Sequence, residues 1–213
     1  LNGYVPERIS THAVEQAIQK AADRDFRGMA WTEGGHKFYA LTCEDFCFVY
    51  DVTTQMWHER ESYGQSEWRP LFILRAYDKW IVGDSTSNKL GELDAETFTE
   101  WGDVLRASCT SPPITADNKR VIHSRLELIF ETGVGTATGQ GSDPQVMLRF
   151  SDDRGRTWSS EYWRSLGRQG EYTTRVVFHR LGQSRGRIYE WAISDPVPRT
   201  LIAATTEAAS GGY

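Results

Sequence analysis

Residues Ser151 to Trp158 read Ser-Asp-Asp-Arg-Gly-Arg-Thr-Trp, a full match to the Ser-x-Asp-x-Gly-x-Thr-Trp pattern called an Asp-box. Carboxylates among hydroxyls and arginines invite a hydrolytic reading, since glycoside hydrolysis runs on paired carboxylates. The spacing gives a plainer one. Asp153 can accept hydrogen bonds from backbone amides of the tight turn it begins, and Gly155 can take the positive φ such a turn requires. Thr157 and Trp158 then re-enter a strand, where β-branched and aromatic side chains pack well. Ser151, Asp153, Gly155, Thr157 and Trp158 therefore read as a structural hairpin rather than a catalytic set.

The hydrolase alternative can be tested on the residues. Sialidases carry Asp-boxes on propeller blades, away from the catalytic pocket. Such an enzyme needs an Arg-Ile-Pro-like segment, three convergent arginines, a Tyr-Glu nucleophile pair and an acid Asp. Here Arg8-Ile9-Ser10 lacks the proline. Tyr189-Glu190 and Glu171-Tyr172 are adjacent pairs, whose side chains point to opposite faces of a strand. Glu127 and Glu131, four apart in an alternating segment, read as a solvated row. No catalytic residue is assigned. A carbohydrate-binding module is the other alternative, because exposed tryptophans make sugar platforms and eight are available. Trp57, Trp101 and Trp158, however, fall at repeat or turn positions that suit packing.

Three cysteines, Cys43, Cys47 and Cys109, cannot all pair, and Cys-x3-Cys without a second ligand pair is a poor zinc signal. The histidines His12, His36, His58, His123 and His179 are scattered, with no His-Glu-x-x-His. The glycine-rich run Gly133 to Gly141 fits neither phosphate-binding spacing, and no helix pattern follows it. No metal and no cofactor is expected.

The 213 residues include 26 aromatics (8 Trp, 9 Tyr, 9 Phe) and 19 Gly, which favours many short strands with tight turns. No apolar run approaches the roughly 18 residues of a membrane span, so no membrane insertion is expected. Charge is split: residues 119–213 hold 13 Lys and Arg against 10 Asp and Glu, while residues 1–118 hold 11 against 19. A pI near 5.6 is far below that of a dedicated duplex binder. The Arg-rich second half points instead to an acidic partner, with Arg175, Arg180, Arg185 and Arg187 as candidate contacts.

These residues must be positioned by strands. Lys37–Thr42 aligns with Lys79–Asp84 at an offset of 42, and Tyr50–Trp57 with Leu93–Trp101 at an offset of 43. A period near 43 with about four short strands per unit is what a β-propeller blade needs. Two blades do not close a ring; the rest must come from missing sequence, later strands or other chains. Ahead of the repeats, Ser10 or Thr11 caps a short helix with Ala13, Val14, Ala17, Ile18 and Ala21 as its apolar stripe. The Pro112-Pro113 run within Ser108 to Asn118 marks a boundary. Val121–Glu131, Gln145–Phe150, Tyr172–Leu181 and Arg187–Ser194 read as strands of an antiparallel sandwich. The expectation is thus all-β: a helical segment at 1–22, propeller-like blades at 23–118, a sandwich-like domain with the Asp-box hairpin at 119–207, and a flexible tail at 208–213. The opening Leu1-Asn-Gly-Tyr, without methionine, reads as the middle of a folded segment and suggests a fragment.

Phe150–Ser159, Leu166–Arg175, Arg180–Arg187 and Ser194–Val197 resemble, in order and spacing, the C-terminal region of the packaged-DNA stabilisation proteins of short-tailed bacteriophages. Arg8–Glu15 and Val49–Glu59 resemble earlier segments of the same family. The resemblance implies a virion tail protein made in the host cytoplasm, with no reaction to catalyse. It implies a tail hub, or tail accessory factor, below the portal and its adaptor ring. There a homo-oligomeric ring such as a hexamer would help close the channel, stabilise the packaged genome and anchor fibre, spike or needle proteins. Contact with genomic DNA would be non-specific proximity, because an acidic ring offers phosphates no attraction.

Overall fold

A computed structural model describes residues 5–117 and 119–210. The chain divides into two compact units, 1–95 and 96–213.

The first unit opens with α1 (His12–Lys20). Thr11 caps it, its hydroxyl accepting from the Val14 amide at 3.4 Å. Arg8 and Ser10 hold the carboxylate of Glu15 at 2.5 and 2.7 Å. A helix start needs such partners because its first amides have none within the helix. Of the apolar stripe, Val14 and Ala21 are buried and Ala13 is exposed.

Two antiparallel meanders follow. The first runs β1 (Arg27–Glu33), β2 (His36–Cys43), β3 (Phe46–Asp51), β4 (Met56–Glu59), and the second β5 (Pro70–Ala76), β6 (Lys79–Asp84), β7 (Leu90–Glu92). The repeat extends to the turns. Gly34-Gly35 joins β1 to β2 with φ of 57° and 85°, and Tyr77-Asp78 joins β5 to β6 with φ of 53° and 58°. Two left-handed residues make the hairpin turn whose twist matches its strands. Glycine adopts that conformation freely, whereas Tyr77 and Asp78 hold it against Cβ sterics.

Alternation along β1 sends Met29 and Trp31 into a core with Ala40, Cys47, Val49 and Trp68, against which Ile73, Trp80 and Leu93 pack. Trp31 stacks on Phe38 at 5.1 Å between ring centroids, and the Arg60 guanidinium lies over Trp31 and Trp68 at 5.2 and 4.9 Å. Burying each large apolar side chain contributes about 1.5–3 kcal/mol. Ile73 and Trp80 serve this core from one face of the second sheet. On its other face Phe72, Gly83 and Leu90 sit side by side, with Phe72 and Leu90 exposed. A side chain at Gly83 would collide with the Phe72 ring.

The second unit begins with a small hairpin, β8 (Thr99–Glu100) and β9 (Asp103–Val104), then continues through β10 (Ala107–Thr110), β11 (Ile114–Thr115), β12 (Val121–Phe130), β13 (Gln145–Ser151), β14 (Tyr162–Ser165), β15 (Val176–His179), β16 (Gln183–Ser184), β17 (Gly186–Ile193) and β18 (Leu201–Ser210). One sheet has the order β10-β17-β13-β14, with β11 also on β17; the other has β15-β12-β16, with β18 along the remaining side of β12. Leu126, Leu128, Val176 and Phe178 from one sheet meet Val146, Leu148, Tyr189 and Ile193 from the other in a single core. Two packed antiparallel layers bury one face each, which is a β-sandwich.

Two boundaries differ from expectation. Ser108–Asn118 is not the divide: β10 and β11 both pair with β17, so Pro112-Pro113 is a step between two short strands on one neighbour. The division falls at 95/96 instead. Residues 208–210 are not tail but the end of β18, paired with β12 through Ser210 opposite Val121; 211–213 lie outside the described residues. Small side chains without alternation hide this strand in the sequence. Tyr172–Leu181 is likewise strand only over Val176–His179.

Candidate functional site

The Asp-box follows β13 and closes on itself through the Ser159 amide, which donates to the Phe150 carbonyl at 2.9 Å. Ser151 donates its hydroxyl proton to Asp153 Oδ1 at 2.8 Å and accepts from the Gly155 amide at 2.8 Å. Asp153 Oδ1 also accepts from the amides of Arg156 (3.0 Å) and Thr157 (2.8 Å), and Oδ2 from the Thr157 hydroxyl (2.6 Å). Arg154 and Gly155 take left-handed φ of 66° and 87° to present those amides. The Thr157 hydroxyl above all, then the Thr157 amide and the Ser151 hydroxyl, hold the Asp153 carboxyl well below the usual carboxylate range. Four donors from its own turn converge on this carboxylate, three on Oδ1 and one on Oδ2, which is how an acidic side chain fixes a turn.

Trp158 leads out of the box to a charged network. The Arg149 guanidinium lies over its ring at 4.6 Å and donates two hydrogen bonds of 3.0 Å to Glu190, which also accepts from Arg106 at 3.1 Å. The box is thereby tied to β13, β17 and the segment before β10.

On the other side of the box, Asp152 accepts both arms of Arg187, Nε at 2.6 Å and Nη2 at 2.8 Å. Arg187 also donates to the Leu181 carbonyl and lies over the Phe150 ring at 3.9 Å. Beside it His123 Nε2 pairs with the Ser184 hydroxyl at 3.0 Å, and the His123 ring meets Tyr189 edge-on at 5.8 Å. Burial, and secondarily the Arg187 charge, push the His123 pKa below its ordinary value.

Two family models match this chain: the beta-propeller of bacteriophage P22 Gp10 over residues 1–98 and the beta-sandwich of bacteriophage P22 Gp10 over residues 106–209. The chain belongs to the bacteriophage P22 Gp10 family. No curated protein matches it. The interval between the two matches lies just past the 95/96 division, so the propeller match covers the first unit and the sandwich match falls within the second.

Within this Gp10-type fold the arginine set separates. Arg187 is not a partner contact: it is 2% exposed and committed to Asp152, because alternation on β17 turns it inward. Arg175 is exposed and donates to Glu127 at 2.7 and 3.1 Å. Arg180, at φ 57°, and Arg185 are exposed at the two ends of the β15–β16 connection and β16.

The residue pairs weighed for hydrolysis do not converge. Tyr189 is in the sandwich core, while Glu190 on the opposite face is held by Arg149 and Arg106. Glu171 accepts from the Arg168 amide at 2.9 Å, and Arg8 is spent on Glu15. Of the eight tryptophans Trp163 alone is exposed; Trp31 and Trp68 are buried and the other five are partly buried. Cys43 and Cys47 are buried free thiols, Cys109 an exposed one, and burial raises Cys47 to about 11. Among the described residues no group of three His, Cys, Asp or Glu is placed to hold a metal. An open groove of about 540 Å³ between α1 and the first meander is lined by Lys20, Asp45, Phe46, Phe48, Glu59 and Arg60 among others, of mixed sign and with no convergent donor set.

Sequence reasoning missed the strongest polar contacts of the propeller part. Arg69 and Asp84 form a buried two-pronged pair at 2.8 and 2.6 Å, and Asp84 also accepts from the Thr86 amide (3.0 Å) and Ser87 hydroxyl (2.5 Å). Asp51 repeats the pattern with the Thr53 amide (2.9 Å), Thr54 hydroxyl (2.8 Å) and His36 (2.7 Å). Burial alone would raise the Asp51 carboxyl, but Thr54, His36 and Thr53 together bring it down to about 2. The shared string Asp-x-Thr-Thr/Ser at the strand ends was the available signal.

Proposed function

We propose that this chain is part of a phage tail hub: a multi-copy component below the portal that helps close the channel behind the packaged genome and gives other tail proteins a place to attach. The observation that carries this reading is the presence of both Gp10 domain types, in tandem and over nearly the whole chain. The polar chemistry agrees with a scaffold. Asp51, Asp84, Asp152, Asp153 and Glu190 each accept from several donors of the fold itself, which is how carboxylates stabilise rather than react.

In this reading the edge bearing Arg175, Arg180 and Arg185 meets an acidic surface of a neighbouring tail protein, the sandwich being the more cationic half. The open apolar face of Phe72 and Leu90 is where a further blade stacks.

The reading is tested in a phage carrying this gene. Particles made without the protein should package DNA and then lose it to nuclease, and the R175E/R180E double variant should reproduce much of that loss. Particles that lack the protein yet retain their genome and infect normally would contradict the proposal.

A further inference from the structure

β18 is a ten-residue strand that shields almost nothing. Among the described residues it pairs with β12 alone. Leu201 and Ala203 are partly buried, whereas Ile202 and residues 204–210 are exposed on both faces. Ala204 and Thr206 sit opposite the buried Leu128 and Leu126, so even the row on the core side has nothing packed over it. A strand of this length presents about 33 Å of backbone edge. Proteins usually blunt such edges with lysine, proline or a very short strand. β18 has neither residue, and its one charge, Glu207, is already bonded to Arg125 at 2.7 Å.

We propose that β18 pairs antiparallel with β18 of a second copy of this chain, Thr206 opposite Thr206. The edge calls for an extended polypeptide, since only that offers amides and carbonyls at the two-residue spacing. The sequence Ile202-Ala-Ala-Thr-Thr-Glu-Ala-Ala-Ser210 selects itself as that polypeptide because it is nearly symmetric about Thr206. In this register Ala204 faces Ala208, Ala203 faces Ala209 and Ile202 faces Ser210. Thr205 faces Glu207 of the second copy, so a hydroxyl donor meets a carboxylate. No like charges stand opposite one another, which is the condition for a favourable cross-strand pair. The stretch Ala203–Glu207, which holds the centre of this pairing, is in regular register with β12 between an irregularity at each end.

The pairing would merge two four-stranded sheets into one and remove the exposed edge from each. A two-fold contact closes on itself and does not generate a ring. It is therefore separate from any ring-building contact and stands independently of the tail-hub reading.

The test is the mass of the whole 213-residue chain by light scattering from ~1 to ~100 µM, a range that brackets weak dimers. The natural chain should form dimers that dissociate on dilution. The A204K/A208K variant places lysine opposite lysine in two pairs on one face of the strand and should raise the dimer Kd at least about tenfold. The A204K/A208E variant places lysine opposite glutamate and should restore dimers. Both alanines are exposed, so folding measured by circular dichroism should be unchanged. With Cys109 replaced by serine, T206C should cross-link between equivalent residues on oxidation, because facing Cα atoms at about 4.5–5.5 Å are within disulfide reach. A chain that stays monomeric throughout, or a lysine variant that dimerises as the natural chain does, would overturn the proposal.

Discussion

Arg187 and Asp152 join the inside of the sandwich to its Asp-box: a guanidinium 2% exposed on β17 makes two of its three hydrogen bonds to a carboxylate whose other side faces water. The two ends of this pair are therefore unequal. Removing Asp152 leaves a buried cation with the Leu181 carbonyl and the faces of Phe150 and Tyr189 but no counter-charge bonded to it, while removing Arg187 leaves an anion that water can solvate.

Asp152→Ala should accordingly cost about 3–5 kcal/mol, as stranding one member of a buried pair does, and Arg187→Met clearly less. Urea denaturation of the two variants measures the order. Equal losses would show that the pair is solvated from both sides.

Asp153→Ala removes the acceptor for two amides and two hydroxyls at once. It should lower the melting temperature by several degrees and leave no hydrolytic rate altered. Gly155→Ala, forced into φ 87°, should destabilise by about 1 kcal/mol. Calorimetry on both variants checks this.

His123 gives the sandwich an acid-side weakness. Its folded pKa lies below the ordinary value, so the unfolded chain binds the proton more readily. That support is complete above the unfolded value of about 6.5 and is lost as pH falls below it, by at most about 1.4 kcal/mol per pH unit. The groups around the ring are Arg187, Asp152, Ser184 and Tyr189. His123→Gln should flatten stability between pH 7 and pH 5. An unchanged slope would assign the effect to another group.

Asp84 lies lower than ordinary carboxyls, chiefly through its hydrogen bond from Arg69. Its contribution is present above the unfolded value and lost as pH falls through the acid range. Asp84→Asn should cost the propeller part about 3 kcal/mol. Tryptophan fluorescence follows it, because Trp31 and Trp68 lie in that core.

The parts legible in the sequence are those that local spacing dictates. The helix start at Thr11 and the Asp-box turn each depend on residues within a few positions of one another, and the blade period on a string of residues that recurs about 43 positions later. The Arg187–Asp152 and Arg69–Asp84 pairs span 35 and 15 residues and depend on which face of a strand turns inward. That is why Arg187 reads as a surface contact until its neighbours are known. β18 was hidden for a different reason: its side chains bury so little that no alternation marks it.

Electron microscopy of the intact particle tests the central claim most directly. The account predicts density for this propeller and sandwich in a multi-copy ring beneath the portal, with the edge of Arg175, Arg180 and Arg185 against an acidic neighbour. Density elsewhere on the virion, or a particle without this protein, would contradict it.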